Sequence, residues 1–218
     1  MIGIMKRIAM AGLLSLACSG RAEEDWQLKK DKRGIKVYTR PVAGAKVNEL
    51  KATMRMRTSV DRLLAVYLDP AKATAWVPSC EKARLVERKG DSSESVYHMI
   101  NNPWPISDRD YVLRSVVTRN PETGEAVIEF NDVKDAPAEK CCVRMGMVKG
   151  SWHLVPEADG HVMVTYRYHF HPGGGSLPPM LNMSLPILAN ETLSRLNALA
   201  AKESPAEADT VRRVESKE

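Results

Sequence analysis

The sequence predicts an α+β domain: a curved antiparallel sheet of about eight or nine strands, two short helices inserted early, and one long C-terminal helix closing over the sheet. Three observations carry this expectation. Val162, Val164, Tyr166, Tyr168 and Phe170 alternate with Met163, Thr165, Arg167 and His169, the period of a strand with two unlike faces. Leu181, Leu185, Leu188, Thr192, Leu196 and Leu199 recur at helical spacing near the end of the chain. Between strand-like runs, Ser59–Leu68 and Ala71–Val77 change period to that of short helices.

The chain has 218 residues, 44% hydrophobic and 27% charged, which suits one globular domain. Only two are Phe, whereas eleven are Met, a side chain that fills cores and lines adaptable apolar surfaces alike. Residues 1–22 read as a secretory signal. Lys6 and Arg7 precede an apolar run from Ile8 to Ala17, too short to span a bilayer, and Gly20-Arg21-Ala22 supplies small residues before a cut after Ala22. A competing reading takes Cys18 as a lipid-modified anchor, although Ser15 stands where a branched apolar residue is usual. Either way the chain is expected to be exported, to the periplasm of a bacterial host. Cleavage would leave 29 basic against 27 acidic residues, so the charge gives no case for a nucleic-acid partner. Cys80, Cys141 and Cys142 are expected as buried thiols, with a bridge from Cys80 to Cys141 or Cys142 as the alternative.

From Glu23 to Arg33 the chain is polar around Trp26 and reads as a partly helical lead-in, ended by Gly34. Ile35–Val42 and Val47–Arg57 alternate as strands; in the second, Ala52, Met54 and Met56 oppose Lys51, Thr53, Arg55 and Arg57. Thr58 or Ser59 can cap the first short helix, Asp69-Pro70 stops it, and Pro78 ends the second. Cys80–Lys89, Ala126–Phe130, Cys141–Val148 and Gly150–Pro156 follow as strands, Val143, Met145 and Met147 sharing a face. Pro178 and Pro179 are tolerated at the start of the last helix, while Pro186 is expected to kink or split it. The tail from Lys202 to Glu218 is charged and expected to be flexible.

Tyr97 to Ser115 is a hairpin of unusual composition. Two β-prone runs flank Asn101-Asn102-Pro103-Trp104-Pro105, and an Arg109-Asp110 pair opens the second strand. Pro103 to Val112 resembles the hairpin of START (StAR-related lipid transfer) domains: proline, aromatic, proline, a polar link, then Arg-Asp-aromatic-Val. Pro172 to Asn182 resembles the glycine-rich approach to that family's last helix, with one extra glycine, and element order agrees from Trp26 to Ala201. The resemblance implies a helix-grip fold over residues 23–201, a lipid or sterol-like molecule in an internal cavity, and the last helix as lid. One departure stands out. Some members carry an inward arginine six residues after the Arg of the Arg-Asp pair; this chain has Ser115 there, and the adjacent Arg114 belongs to the other face. An apolar or weakly polar ligand is expected over a charged head group.

On pattern alone Met54, Met56, Met145, Met147, Tyr111, Tyr166 and Tyr168 are core residues. The resemblance makes several of them cavity lining, together with Trp76, His98, Trp104, Leu113, Ser115, Phe170, Leu181 and Leu185. Arg109 and Asp110 point to opposite faces and are expected to hold the hairpin and lid by hydrogen bonds. Gly173, Gly174 and Gly175 are expected to act as a hinge. His169 and His171 have no third ligand nearby in sequence, so no metal is expected, and no cofactor or catalytic motif stands out. The protein is expected to act as a monomer that carries or senses a lipid, touching membranes transiently. Two alternatives remain: a helix-grip enzyme of the cyclase or hydrolase type, and an envelope interaction module with a filled cavity.

Overall fold

In the computed structural model, residues 25–202 are described apart from 91, 135, 137, 138 and 175–177. The signal segment, Cys18, Gly175 and tail residues 203–218 lie outside the described residues. Three antiparallel strands come first: β1 (Gln27–Lys32), β2 (Ile35–Arg40) and β3 (Glu49–Met56). The partly helical lead-in is therefore a strand. Its side chains are mostly exposed on both faces, so it carried no alternation to read.

The chain then leaves the sheet through α1 (Val60–Tyr67), a single 3₁₀ turn (Pro70–Lys72) and α2 (Ala73–Trp76). Ser59 caps α1, its side chain accepting from the Arg62 amide at 3.3 Å, and Asp69 caps the 3₁₀ turn through the Ala71 amide. This crossover delivers the chain to the far edge of the sheet. From there β4 (Cys80–Lys89), β5 (Ser93–Ile100), β6 (Arg109–Arg119), β7 (Ala126–Asp132), β9 (Met147–Pro156) and β10 (Val162–His171) return strand by strand until β10 pairs with β3. The order is β1-β2-β3-β10-β9-β7-β6-β5-β4, open between β1 and β4.

The expected strand Cys141–Val148 is not one strand. β8 (Val143–Arg144) pairs in parallel with Arg109-Asp110 at the start of β6, and the chain turns at Gly146 before β9. A Cβ on Gly146 would lie 2.8 Å from Nδ1 of His171, so a side chain there would have to push that exposed ring aside. Two of the three cysteines also differ from expectation, while Cys80 is the buried thiol expected. Cys141 and Cys142 are bonded to each other in the turn before β8, and Cys80 is a free buried thiol, its pKa pushed up to about 11 by burial.

The last helix, α3 (Pro178–Ala200), passes through Pro186 without splitting. Its first turns are anchored from outside: Asn182 accepts from the Asn48 amide at 2.8 Å and donates to the Lys46 carbonyl at 3.1 Å. These bonds to the β2–β3 loop hold in register the turn that proline would loosen. Leu185, Ala189, Leu193, Leu196 and Ala200 are buried on α3, and the helix packs on β2, β3, α1 and α2. Over the other half of the sheet it stands off.

Candidate ligand-binding cavity

Where α3 stands off, a cavity of about 640 Å³ remains between helix and sheet. That is the size of a small-molecule site. The β5–β6 hairpin forms one wall. Its register pairs Ile100 with Arg109, His98 with Tyr111, Val96 with Leu113 and Glu94 with Ser115, and all eight side chains line the cavity. Phe130, Trp152, Tyr166, Tyr168 and Phe170 continue the wall across β7, β9 and β10. Tyr67, Trp76 and Val77 close one end. Pro105, Ile106, Val143, Met145 and Pro172 surround the other, and Met180, Leu181, Ser184, Ile187, Leu188, Glu191 and Thr192 form the roof.

The rings touch in a continuous series. Trp76 meets Trp152 at 5.9 Å between centroids, Trp152 stacks on Tyr166 at 4.1 Å, and Tyr166, Tyr168 and Phe170 follow along β10. Phe130 approaches Tyr168 at 6.3 Å across Gly150, which sits between them in the ladder and carries no side chain. Such a wall is apolar and rigid, with polar tips where tyrosines project.

Among the described residues, the hydroxyls of Tyr111, Tyr166 and Tyr168 form no hydrogen bond, whereas Tyr67 and Ser115 are bonded to each other at 2.8 Å. Burial, followed by the proximity of the other tyrosines, holds Tyr111 and Tyr166 well above the ordinary phenol range. Glu94 is only 4% exposed; Arg88 donates to its Oε2 at 2.7 Å, and burial raises its pKa. The Trp76 indole N–H, in the same wall, has no hydrogen-bond partner among the described residues.

His98 stacks on Tyr111 at 5.0 Å, and its Nδ1 lies 3.2 Å from the Val96 carbonyl. Burial pushes its pKa down from 6.5 to about 4. The folded protein thus holds a neutral imidazole that the unfolded chain would protonate below about pH 6.5. Stability is therefore expected to be full above that pH, to fall between pH 6.5 and 4, and to stop falling through this group below 4. Urea midpoints measured across that range should drop, and His98→Gln should flatten the part of the drop due to this ring. An unchanged slope in the variant would assign the drop to other groups.

Of the residues the sequence pointed to, Trp76, His98, Tyr111, Leu113, Ser115, Met145, Tyr166, Tyr168, Phe170 and Leu181 meet at this cavity. Five do not. Met54 and Met56 face the interior as their alternation predicts, but β3 lies directly beneath α3, where the space is filled. Leu185 packs into the same filled half. Met147 is off the cavity because the turn at Gly146 reverses parity: on β9 the buried positions are Val148, Trp152 and Leu154. Trp104 is 93% exposed at the hairpin tip, and its neighbour Pro105 lines the cavity instead. Glu94, Tyr67, Phe130 and Trp152 were not singled out from sequence. Glu94 was detectable, because it shares the parity of Val96, His98 and Ile100.

Arg109 spans the hairpin and the approach to α3. Its Nε donates to the Pro172 carbonyl at 2.9 Å and its Nη1 to the carbonyls of Ser107 and Asp108. Asp110 points the other way and takes two bonds from Arg144, at 2.8 and 2.9 Å. Gly173 and Gly174 have φ of +68° and +55°, and a Cβ on Gly173 would stand 2.5 Å from the Arg144 carbonyl oxygen. These two glycines form a tight, packed turn, so alanine there would strain the turn as well as stiffen it.

Comparison with known proteins gives a consistent match. The START domain family model matches residues 7–202. An uncharacterized protein of Pseudomonas aeruginosa is 30% identical over 204 residues, covering 93% of this chain and 100% of its own. The phosphatidylcholine transfer protein of Rattus norvegicus is 27% identical over 181 residues, 80% of this chain and 81% of its own. The crystal structure of a fragment of the STAR-related lipid transfer protein from Xanthomonas axonopodis has a TM-score of 0.76 and 31% identity, covering 81% of this chain and 99% of that one.

Proposed function

Because the chain belongs to the START domain family, we propose that its cavity holds a lipid and that the protein carries or senses that lipid in a bacterial envelope. The observation that supports this most directly is the volume itself: about 640 Å³ left open between α3 and an aromatic wall. A side-chain-filled interaction module would leave no such space. Export rests on the signal-like residues 1–22, with the mature chain expected to begin at Glu23. Protein isolated from the host envelope is expected to yield a lipid to organic extraction and mass spectrometry. If none is found and no fluorescent lipid binds, the reading is wrong. Recovery only from the cytoplasm, with residues 1–22 retained, would overturn the export part.

The rim of the cavity fits brief contact with a membrane by a monomer. Trp104, Met180, Met183 and Ile187 are all exposed large apolar side chains; Met180 and Ile187 also line the cavity, and Trp104 adjoins Pro105. Aromatic and apolar side chains grouped this way insert into the headgroup region of a bilayer. The double variant Trp104→Ala/Met183→Ser, at two exposed side chains that do not line the cavity, is expected to slow lipid transfer between vesicles about tenfold while leaving equilibrium lipid binding unchanged. Equal transfer rates would remove this rim from the mechanism.

A further inference from the structure

Cys141 and Cys142 are neighbours in the chain and bonded to each other, so the ring they close contains only the peptide between them. A bridge stabilises a fold by tying distant segments together, and its effect grows with the loop it closes. This bridge closes the shortest loop a chain allows and ties no second segment. Its constraint falls on one peptide, the one that leads into β8.

β8 depends on that approach. Val143 follows Cys142 directly, and its amide donates to the Asp108 carbonyl at 2.9 Å. The Met145 amide donates to the Asp110 carbonyl at 3.0 Å. Both bonds tie β8 to the start of β6, and Val143 and Met145 line the cavity. The turn before α3 rests on the same short strand. A Cβ on Gly173 would stand 2.5 Å from the Arg144 carbonyl oxygen, and one on Gly174 would stand 3.2 Å from Cγ1 of Val143. A two-residue strand gains little from its own pairing, so the freedom of its flank decides how often it opens. The bridge that limits this freedom is within reach of solvent: Cys141 is exposed and Cys142 half-buried, whereas Cys80 is buried. Exposed bridges are the ones that exchange readily with thiols.

We propose that the Cys141–Cys142 pair is a thiol–disulfide exchange site that sets how firmly β8 closes the cavity. A thiolate of an external dithiol attacks the exposed sulfur of Cys141. The bond to Cys142 breaks, Cys142 leaves as a thiolate and takes a proton, and a mixed disulfide joins Cys141 to the reductant. The second thiol of the reductant then displaces Cys141, which is protonated in turn. The chain has gained two electrons and two protons, and the dithiol has become a disulfide. The closed ring is the form an oxidising compartment maintains, and reduction frees the approach to Val143. The consequence for a bound lipid rests on the cavity being a lipid site; the loosening of β8 does not.

The test compares the oxidised protein with the same protein treated, under native conditions, with dithiothreitol, a small dithiol. Alkylation with iodoacetamide and peptide mapping should find Cys141 and Cys142 as thiols only after treatment, with Cys80 unlabelled in both. Hydrogen exchange at the Val143 and Met145 amides should then quicken about fivefold, and a fluorescent alkyl probe should leave the cavity faster by a similar factor. Reoxidation with oxidised glutathione should restore the slow rates. Cys141→Ser/Cys142→Ser should show the fast rates with or without dithiothreitol. The comparison on the unaltered protein stands even if that variant does not fold. A bridge that the native protein neither forms nor gives up, or reduction that leaves amide exchange unchanged, overturns the proposal. Faster amide exchange with an unchanged probe rate overturns the closing role. Faster amide exchange in a protein that binds no probe upholds the exchange site and overturns the lipid reading instead.

Discussion

Gly150→Ala is expected to lower stability by about 4 kcal/mol or more, and to damage the cavity in whatever protein still folds. Gly150 lies in β9 between Phe130 of β7 and Tyr168 of β10. A Cβ there would stand 2.1 Å from the Arg167 carbonyl oxygen and 2.5 Å from Cζ of Phe130. Neither neighbour yields cheaply. The carbonyl belongs to the β9–β10 ladder, so relieving that contact shifts a central strand. The Phe130 ring lies over the glycine against Tyr168, so relieving that contact pushes a ring into the cavity. Urea unfolding separates the two effects. Phe130→Leu in the Gly150→Ala background should recover only the ring's share, because the backbone contact remains. A loss below about 1 kcal/mol for Gly150→Ala would show that the sheet adjusts freely there, against the close packing argued for this wall.

The hairpin and the last helix were legible because their signals are local. Proline, tryptophan, arginine and aspartate in a fixed pattern mark Pro103–Val112, and leucine spacing marks α3. The face of each regular strand was also legible, since alternation assigns side chains to one side or the other. Position across the sheet was not. Met54 on β3 and Tyr166 on β10 occupy inward faces of neighbouring strands, yet only Tyr166 reaches the cavity, because α3 presses on β2 and β3 and lifts away beyond β10. That placement comes from the long crossover through α1 and α2, which sends β4 to the opposite edge. Parity failed where a glycine hid a turn, at Gly146, and element type failed at β1, where both faces meet solvent. The unmet oxygens of the cavity could not be read at all. A tyrosine's sequence neighbours do not say whether its hydroxyl has found a partner across the fold.

The cavity's far end depends on a short strand that sequence pattern concealed, and this makes Arg144 the second large effect. β8 contributes two residues, and its main-chain pairing to β6 is correspondingly slight. The Arg144 guanidinium adds two bonds to Asp110, which is 0% exposed, and Nη1 donates to the Ala136 carbonyl at 3.0 Å. Bonding to Asp110 in turn raises the Arg144 pKa. The two partners are not equivalent. Arg144→Ala strands a fully buried carboxylate and is expected to cost about 3 kcal/mol. Asp110→Asn leaves the Arg144 guanidinium one-quarter exposed, still bonded to the Ala136 carbonyl and able to turn toward water, so it should cost about half as much. A double-mutant cycle in urea reads both costs and the coupling between them. Val143 and Met145 line the cavity on either side of Arg144, and Gly173 packs on the Arg144 carbonyl, so loosening β8 also loosens the turn that leads to α3. Lipid release from Arg144→Ala should therefore quicken several-fold, roughly in proportion to the population of locally opened molecules. Equal costs for the two single variants, or lost stability with unchanged release, would separate the ion pair from the lid.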